Sequence, residues 1–209
     1  MLRFAPEGHP FILGAFALTV LTALLMPWLA PAPLMLALFM LYFFRDPERR
    51  IPEGGDLFVS PADGKVIQIR DVREALYLNA DMKEISIFMS PFDVHVNRAP
   101  CDGKVGKVTH HAGRFMAAYR DEASVENEKI EMVLETAHGG ILVRQVAGFV
   151  ARRAVCRKRE GDALRRGERY GIIKFSSRLD IYLPKAVSIA VKLGDSVRAG
   201  ETVLGRMQR

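Results

Sequence analysis

From Phe11 to Phe44 the chain carries no charged residue, first as "FILGAFALTVLTALLMPWLA" and then, past a Pro-Ala-Pro at 31–33, as "PLMLALFMLYFF". A soluble core seldom needs so long an uncharged run. A helix crossing the hydrocarbon layer takes roughly 20 apolar residues, so the first run is long enough and the second, at about a dozen, is not. The prolines at 31 and 33 stop one helix from running through both. A single arginine precedes the run, Glu7 is acidic and no small-residue cleavage site follows, which is the pattern of a retained anchor and not of a signal peptide. Basic residues then appear in "RDPERR" (Arg45 to Arg50), and basic flanks hold that end in the cytoplasm. Residues 1–50 therefore read as a membrane anchor, either a helical hairpin with both ends cytoplasmic or a re-entrant pair. The bland alternative is a core hairpin of a soluble protein.

The remaining chain, 51–209, has the length of one domain. Its texture is short alternating runs between Gly, Pro and Asp: "LFVSPADGKVIQI", "EISIFMS", "DVHVNRAP", "GKVGKVTHHAG", "KIEMVLET", "GILVRQVAGFVARRAV", "YGIIKF" and "LDIYLP". Period-two alternation with turn signals at this spacing predicts a mainly β, sandwich-like domain. Phe115 to Ala123 is the best helix candidate within it. "PADGKV" (61–66) and "PCDGKV" (100–105) resemble each other and predict a repeated hairpin. Asp-Gly suits a tight hairpin turn, so Asp63 and Asp102 read first as turn geometry. The tail "VSIAVKLGDSVRAGETVLGRM" has the strand and turn rhythm of lipoyl-carrier sandwiches, but no lysine has the neighbourhood of a modified tip.

The formal net charge is +6, and the excess is clustered: Arg152 to Arg169 holds eight basic residues against three acidic ones. Such a stretch suits nucleic acid, phosphate groups or an anionic bilayer, or is a solvated loop. Because the chain already carries an anchor, the bilayer is the preferred partner and nucleic acid is not expected. Cys101 and Cys156 are in no metal-ligand spacing, and a cytoplasmic setting disfavours a disulfide, so both read as structural. Among the five histidines, His9, His95, His110, His111 and His138, none forms a His-Glu-x-x-His zinc motif. No nucleophile elbow or phosphate loop occurs either. His95 lies in "FDVHVNRAP", where alternation puts Asp93, His95 and Asn97 on one strand face. A lone strand histidine is more often structural than catalytic.

Five segments in order change that reading: "FFRDPERRIP", "SPADGKV", "SPFDVHVNRAP", "GERYGIIKFSSRLDIYLP" and "VKLGDSVRAGETVLG". Together they resemble the short, membrane-anchored bacterial form of phosphatidylserine decarboxylase, from about Phe43 to Gly205. The resemblance implies a self-cleaving proenzyme whose cofactor is a covalent pyruvoyl group made from an internal serine, with no pyridoxal phosphate and no metal. In that family the cut falls between Gly and Ser of "RFGSRVD". Here the segment is "KFSSRLD", so Ser177 matches the pyruvoyl precursor and Ser176 replaces the glycine. Cleavage between Ser176 and Ser177 is expected to yield a β chain, 1–176, and an α chain, 177–209. Asp63, His95 and Ser177 carry over as the processing triad. The longer family form has a further histidine where this chain has Phe92.

The resemblance implies phosphatidylserine as substrate, an inner-membrane location with the catalytic domain on the cytoplasmic side, and a homo-oligomer. The basic residues Arg152, Arg153, Arg157, Lys158 and Arg159 are candidates for lipid phosphate or membrane contact. Two rivals stand beside this reading. A zinc murein peptidase shares "DGKV"-like hairpins but needs histidine sets that are absent. A β-sandwich adaptor or carrier without catalysis would give Asp63, His95 and Ser177 no reason to converge.

Overall fold

The computed structural model describes residues 3–113, 126–148, 153–175 and 177–208. The chain forms two units, Met1–Glu48 and Arg49–Arg209. The helix candidate at 115–123, together with Ser176 and Arg152, lies outside the described residues.

In the smaller unit a 3-10 turn, Pro6–Gly8, leads into α1 (His9–Leu25). A second 3-10 turn, Pro27–Leu29, leads into α2 (Pro31–Phe43). The break thus precedes the Pro-Ala-Pro, and Pro31 and Pro33 fall in the first turn of α2, where a missing N–H leaves no intrahelical bond unmade. At the tip the Leu29 amide donates to Met26 and the Ala30 amide to Pro27. At the base the two ends are stapled: Ala5 N donates to the Phe44 carbonyl at 2.9 Å and Asp46 N to the Arg3 carbonyl at 2.8 Å. The Phe44 ring also packs over Gly8, where a Cβ would come within 2.3 Å of it. Leu24 is 77% exposed and Trp28 78%. Neither helix has a polar side, which is the composition of helices immersed in an apolar medium.

Among the described residues the larger unit has fourteen strands: β1 (Leu57–Val59), β2 (Gly64–Glu74), β3 (Ala80–Met89), β4 (Val96–Arg98), β5 (Gly103–His111), β6 (Lys129–Thr136), β7 (Gly139–Ala147), β8 (Arg153–Cys156), β9 (Ala163–Leu164), β10 (Arg169–Lys174), β11 (Ser177–Pro184), β12 (Val187–Ile189), β13 (Ser196–Val197) and β14 (Val203–Met207). Eight form one antiparallel sheet in the order β13-β2-β3-β11-β7-β6-β5-β9. Two three-stranded sheets, β1-β14-β12 and β4-β10-β8, complete the unit. The protein is mainly β, as the alternation predicts. Ile85, Ile87 and Met89 of β3, Leu179 and Ile181 of β11, and Ile141 and Val143 of β7 point into one buried core. Each such side chain contributes roughly 1.5–3 kcal/mol by leaving water.

The strand order is a palindrome with a physical basis. Exchanging β13 with β9, β2 with β5, β3 with β6 and β11 with β7 maps the large sheet onto itself, and the same operation exchanges the small sheets. Gly64 faces Val197 and Lys65 faces Ser196, just as Gly103 faces Leu164 and Lys104 faces Ala163. The register slips after Val66 in one half and after Val105 in the other. The halves also trade bonds: Val59 N donates to Pro100 O at 2.8 Å and Arg98 N to Pro61 O at 3.0 Å. The paired sequences are "GDALRRGERY" (161–170) and "GDSVRAGETV" (194–203). Both place left-handed glycines at the same two turns, Gly161 and Gly167 in one, Gly194 and Gly200 in the other, where a residue with a Cβ is strained.

One half, β4 to β10, is inserted whole into the other, between β3 and β11. The chain leaves the first half at Met89 and returns at Ser177, and these two residues face each other in register. Two expectations need correction. The Asp-Gly pairs do not close hairpins, because β1 pairs with β14 while β2 pairs with β3 and β13; each instead passes the chain from a small sheet to the large one. The basic stretch is not a simple loop either, since it builds β8, β9 and the start of β10.

Candidate active site

Ser177 opens β11 and points with Leu179 and Ile181 into the core, whereas Arg178 and Asp180 lie on the opposite face. That face is polar but closed: Arg178 donates to Asp180, to Gln68 Oε1 at 2.9 Å and to Ser86 Oγ at 2.8 Å. Burial raises the Asp180 carboxyl pKa, opposed by the Arg178 charge. Alternation on one strand thus separates the serine from the ion pair.

Ser177 is fully buried, and its hydroxyl donates to Met89 Sδ at 3.4 Å. The same sulfur receives the Asn97 amide at 3.9 Å, and Asn97 Oδ1 accepts from Gln145 Nε2 at 2.8 Å. Just before the serine pair, Phe175 has a φ of 60°, a left-handed backbone that costs a non-glycine residue about 1–3 kcal/mol.

His95 is also fully buried. It stands immediately before β4, while Asp93 lies in a bend, its carboxylate accepting from Ser90 N and Oγ at 2.8 Å each. The strand is therefore shorter than the alternation implies. His95 Nδ1 is 3.0 Å from the Asp93 carbonyl, so in the neutral ring that nitrogen carries the proton and Nε2 the lone pair, the form a general base requires. The His95 carbonyl accepts from Ile173 N at 3.3 Å. His95 is thus tied to the end of β10, and Ser177 follows that end three residues on in the chain.

Asp63 is buried at the junction of β1 and β2. One carboxylate oxygen accepts from Ala199 N at 2.8 Å and the other from Arg49 at 2.7 Å. Burial raises its pKa, opposed by the Arg49 charge and the Ala199 amide. Among the described residues its hydrogen bonds go to these two groups and not to the His95 ring. Asp63 and Asp93 open onto one cleft of about 430 Å³ together with Lys65, Ser90 and Arg198. Arg49 and Met89 stand beside the candidate site without being singled out by the sequence, whereas alternation places Asp93 and Asn97 on one strand face with His95. Of the first two, only Arg49 had a signal, as part of "RDPERR".

Arg153 faces Lys174 across β8 and β10, which brings two basic residues to the end of β10. Lys158 is paired with Glu168 at 2.6 Å. The Arg159 amide donates to Asp162. Cys101 and Cys156 are free thiols, and burial together with Asp102 pushes Cys101 up to about 12.

Comparison with known proteins places this chain among decarboxylases. The phosphatidylserine decarboxylase family model matches residues 36–205. A phosphatidylserine decarboxylase proenzyme from Syntrophus aciditrophicus is 48% identical over 205 residues, covering 96% of each chain. One from Geotalea uraniireducens is 48% identical over 204 residues, and one from Citrifermentans bemidjiense 50% over 209, each covering 96% of this chain and 95% of the relative. The chain belongs to the phosphatidylserine decarboxylase family.

Proposed function

We propose that this protein decarboxylates phosphatidylserine to phosphatidylethanolamine after cutting its own backbone between Ser176 and Ser177. The observation that carries the reading is the setting of Ser177: buried at the head of a central strand, two residues after the left-handed Phe175, where the chain returns from the inserted half. A serine there is shielded from water and held against its neighbours by pairing on both sides, the condition for an intramolecular acyl shift.

In the cleavage, His95 Nε2 takes the Ser177 hydroxyl proton as the oxygen attacks the Ser176 carbonyl, and the peptide becomes an ester. The Asp63 carboxylate supplies the negative charge of the triad. Removal of the Ser177 α-proton then expels the Ser176 carboxylate and leaves a dehydroalanine. Tautomerisation and hydrolysis release ammonia and leave a pyruvoyl group on residue 177. The residues present fit this group: residue 177 is fully buried against the Met89 sulfur, which also receives the Asn97 amide. The pyruvoyl group supplies the electron sink for loss of carbon dioxide. His95 protonates the substrate carbon afterwards. The cleft with Lys65 and Arg198 beside Asp63 and Asp93 bears both signs of charge, as a headgroup with phosphate, carboxylate and ammonium requires. The apolar helices of the 1–50 anchor enter the inner membrane with the catalytic unit on the cytoplasmic side, and the basic set Arg152, Arg153, Arg157, Lys158 and Arg159 contacts the anionic surface or the lipid phosphate.

Intact mass under denaturing conditions tests this. Two fragments, 1–176 and 177–209, with a pyruvoyl-blocked smaller fragment, are expected. Ser177→Ala should give one uncut chain that releases no carbon dioxide from phosphatidylserine vesicles; release by that variant would overturn the mechanism.

A further inference from the structure

The two halves offer an internal control on what is special about Asp63. Its counterpart is Asp102: each follows a Pro-x and precedes Gly-Lys-Val, and each accepts a backbone amide from the partner turn, Ala199 at 2.8 Å and Arg166 at 2.7 Å. Asp102 is exposed, and among the described residues no guanidinium bonds it. Asp63 is buried, and Arg49 reaches it at 2.7 Å with a side chain only 7% exposed. The second Arg49 nitrogen donates to Glu201 at 3.3 Å, and the other oxygen of Glu201 accepts from Arg50 N at 3.0 Å. That amide, followed by the Arg49 charge, holds Glu201 below the usual carboxylate range. The equivalent of Glu201 in the inserted half, Glu168, pairs with Lys158 instead. The guanidinium clasp is therefore an addition to the repeated frame, made at one of two equivalent aspartates.

Its chemical effect follows from burial. A carboxylate taken out of water tends to protonate, and an opposite charge at hydrogen-bond distance restores the ion. Other charges around Asp63 are sparse: Asp93 across the cleft opposes ionisation, while Lys65 of β2 and Arg198 beside β13 line the same cleft. Arg49 alone among these cations bonds the carboxylate.

We propose that Arg49 is a positioning residue for self-cleavage: it fixes the Asp63 carboxylate in its ionised form, and Glu201 in turn fixes Arg49. The inference rests on the proposed role of Asp63. Because Arg49 and Asp63 precede the cut while Ala199 and Glu201 follow it, the clasp also joins the two products.

The test follows the rate of self-cleavage of the full-length protein by denaturing mass spectrometry, as a function of pH, for the parent, Arg49→Gln, Arg49→Lys, Glu201→Gln and Asp63→Asn. Arg49→Gln should slow cleavage at least about tenfold near neutrality and move the rising limb of the profile alkaline by about one pH unit or more. Arg49→Lys, which keeps the charge, should recover most of the rate, and Glu201→Gln should show a smaller loss. If Asp63→Asn is blocked while Arg49→Gln keeps the parent rate and profile, the inference is wrong and the reading of Asp63 stands. If Asp63→Asn cleaves normally, that reading falls and this inference with it. Should Arg49→Gln fail to fold by circular dichroism, parent-like profiles in both Arg49→Lys and Glu201→Gln would refute the clasp, and an alkaline displacement in Glu201→Gln would support it.

Discussion

Gly64 and Gly103 open equivalent strands, yet they tolerate a side chain differently. A Cβ on Gly64 would sit 2.1 Å from the Phe88 carbonyl oxygen, on a backbone with φ of 151°; on Gly103 it would sit 2.8 Å from the Glu135 carbonyl. In an uncut Ser177→Ala background, Gly64→Ala should therefore lose about 3 kcal/mol or more, and Gly103→Ala roughly 1–2 kcal/mol, both read by denaturant unfolding. The same pair shows what could be read before the fold was known. "PADGKV" and "PCDGKV" are nearly identical strings, so no property of the strings separates a buried aspartate from an exposed one. What separates them is their surroundings in the fold, among them the Arg49 guanidinium on Asp63. Ser177 and His95 were singled out only through family resemblance, because a lone serine and a lone histidine have no local signature of a role. Met89 was invisible, since it meets Ser177 only across a strand that returns from far along the chain.

At the scale of elements, β11 governs. It pairs with β3 on one side and β7 on the other, and under the proposed cleavage both neighbours belong to the larger product. The fragments should co-elute in native size-exclusion chromatography and separate only in denaturant. Leu179, fully buried at the centre of this strand, should cost about 2–5 kcal/mol when changed to Ala in the uncut background, measured as a shift of the unfolding midpoint. Strand-like texture was readable throughout because half-buried strands alternate. The duplication was only glimpsed, and the reason is topological. One copy is continuous from β4 to β10 while the other is split around it, so the repeats have no fixed period, and "GDALRRGERY" passes for a charged loop until its strand pairs with β5.

For the whole molecule, the helices at residues 9–43 present apolar side chains on every side. Placing arginine at a bilayer centre costs roughly 2.5–3.5 kcal/mol per residue. A Leu18→Arg/Leu24→Arg variant should therefore move from the floating to the soluble fraction in vesicle flotation while still cutting itself, because the residues of the proposed cleavage lie in the other unit. The large sheet has its own order of events. Its middle is closed by a strand near the C-terminus, and such long-range pairing forms late because loop closure must come before any contact is gained.

The meeting of Met89 and Ser177 across β3 and β11 gives that order a meaning beyond stability. Under the proposed chemistry, a chain acquires its reactive carbonyl only when the returning strand has docked between two partners and the clasp beyond it has closed. Incomplete or misregistered molecules keep an ordinary serine and stay inert. The reactive group is thus a record that folding was completed: every active molecule has already passed a structural test that its own geometry sets.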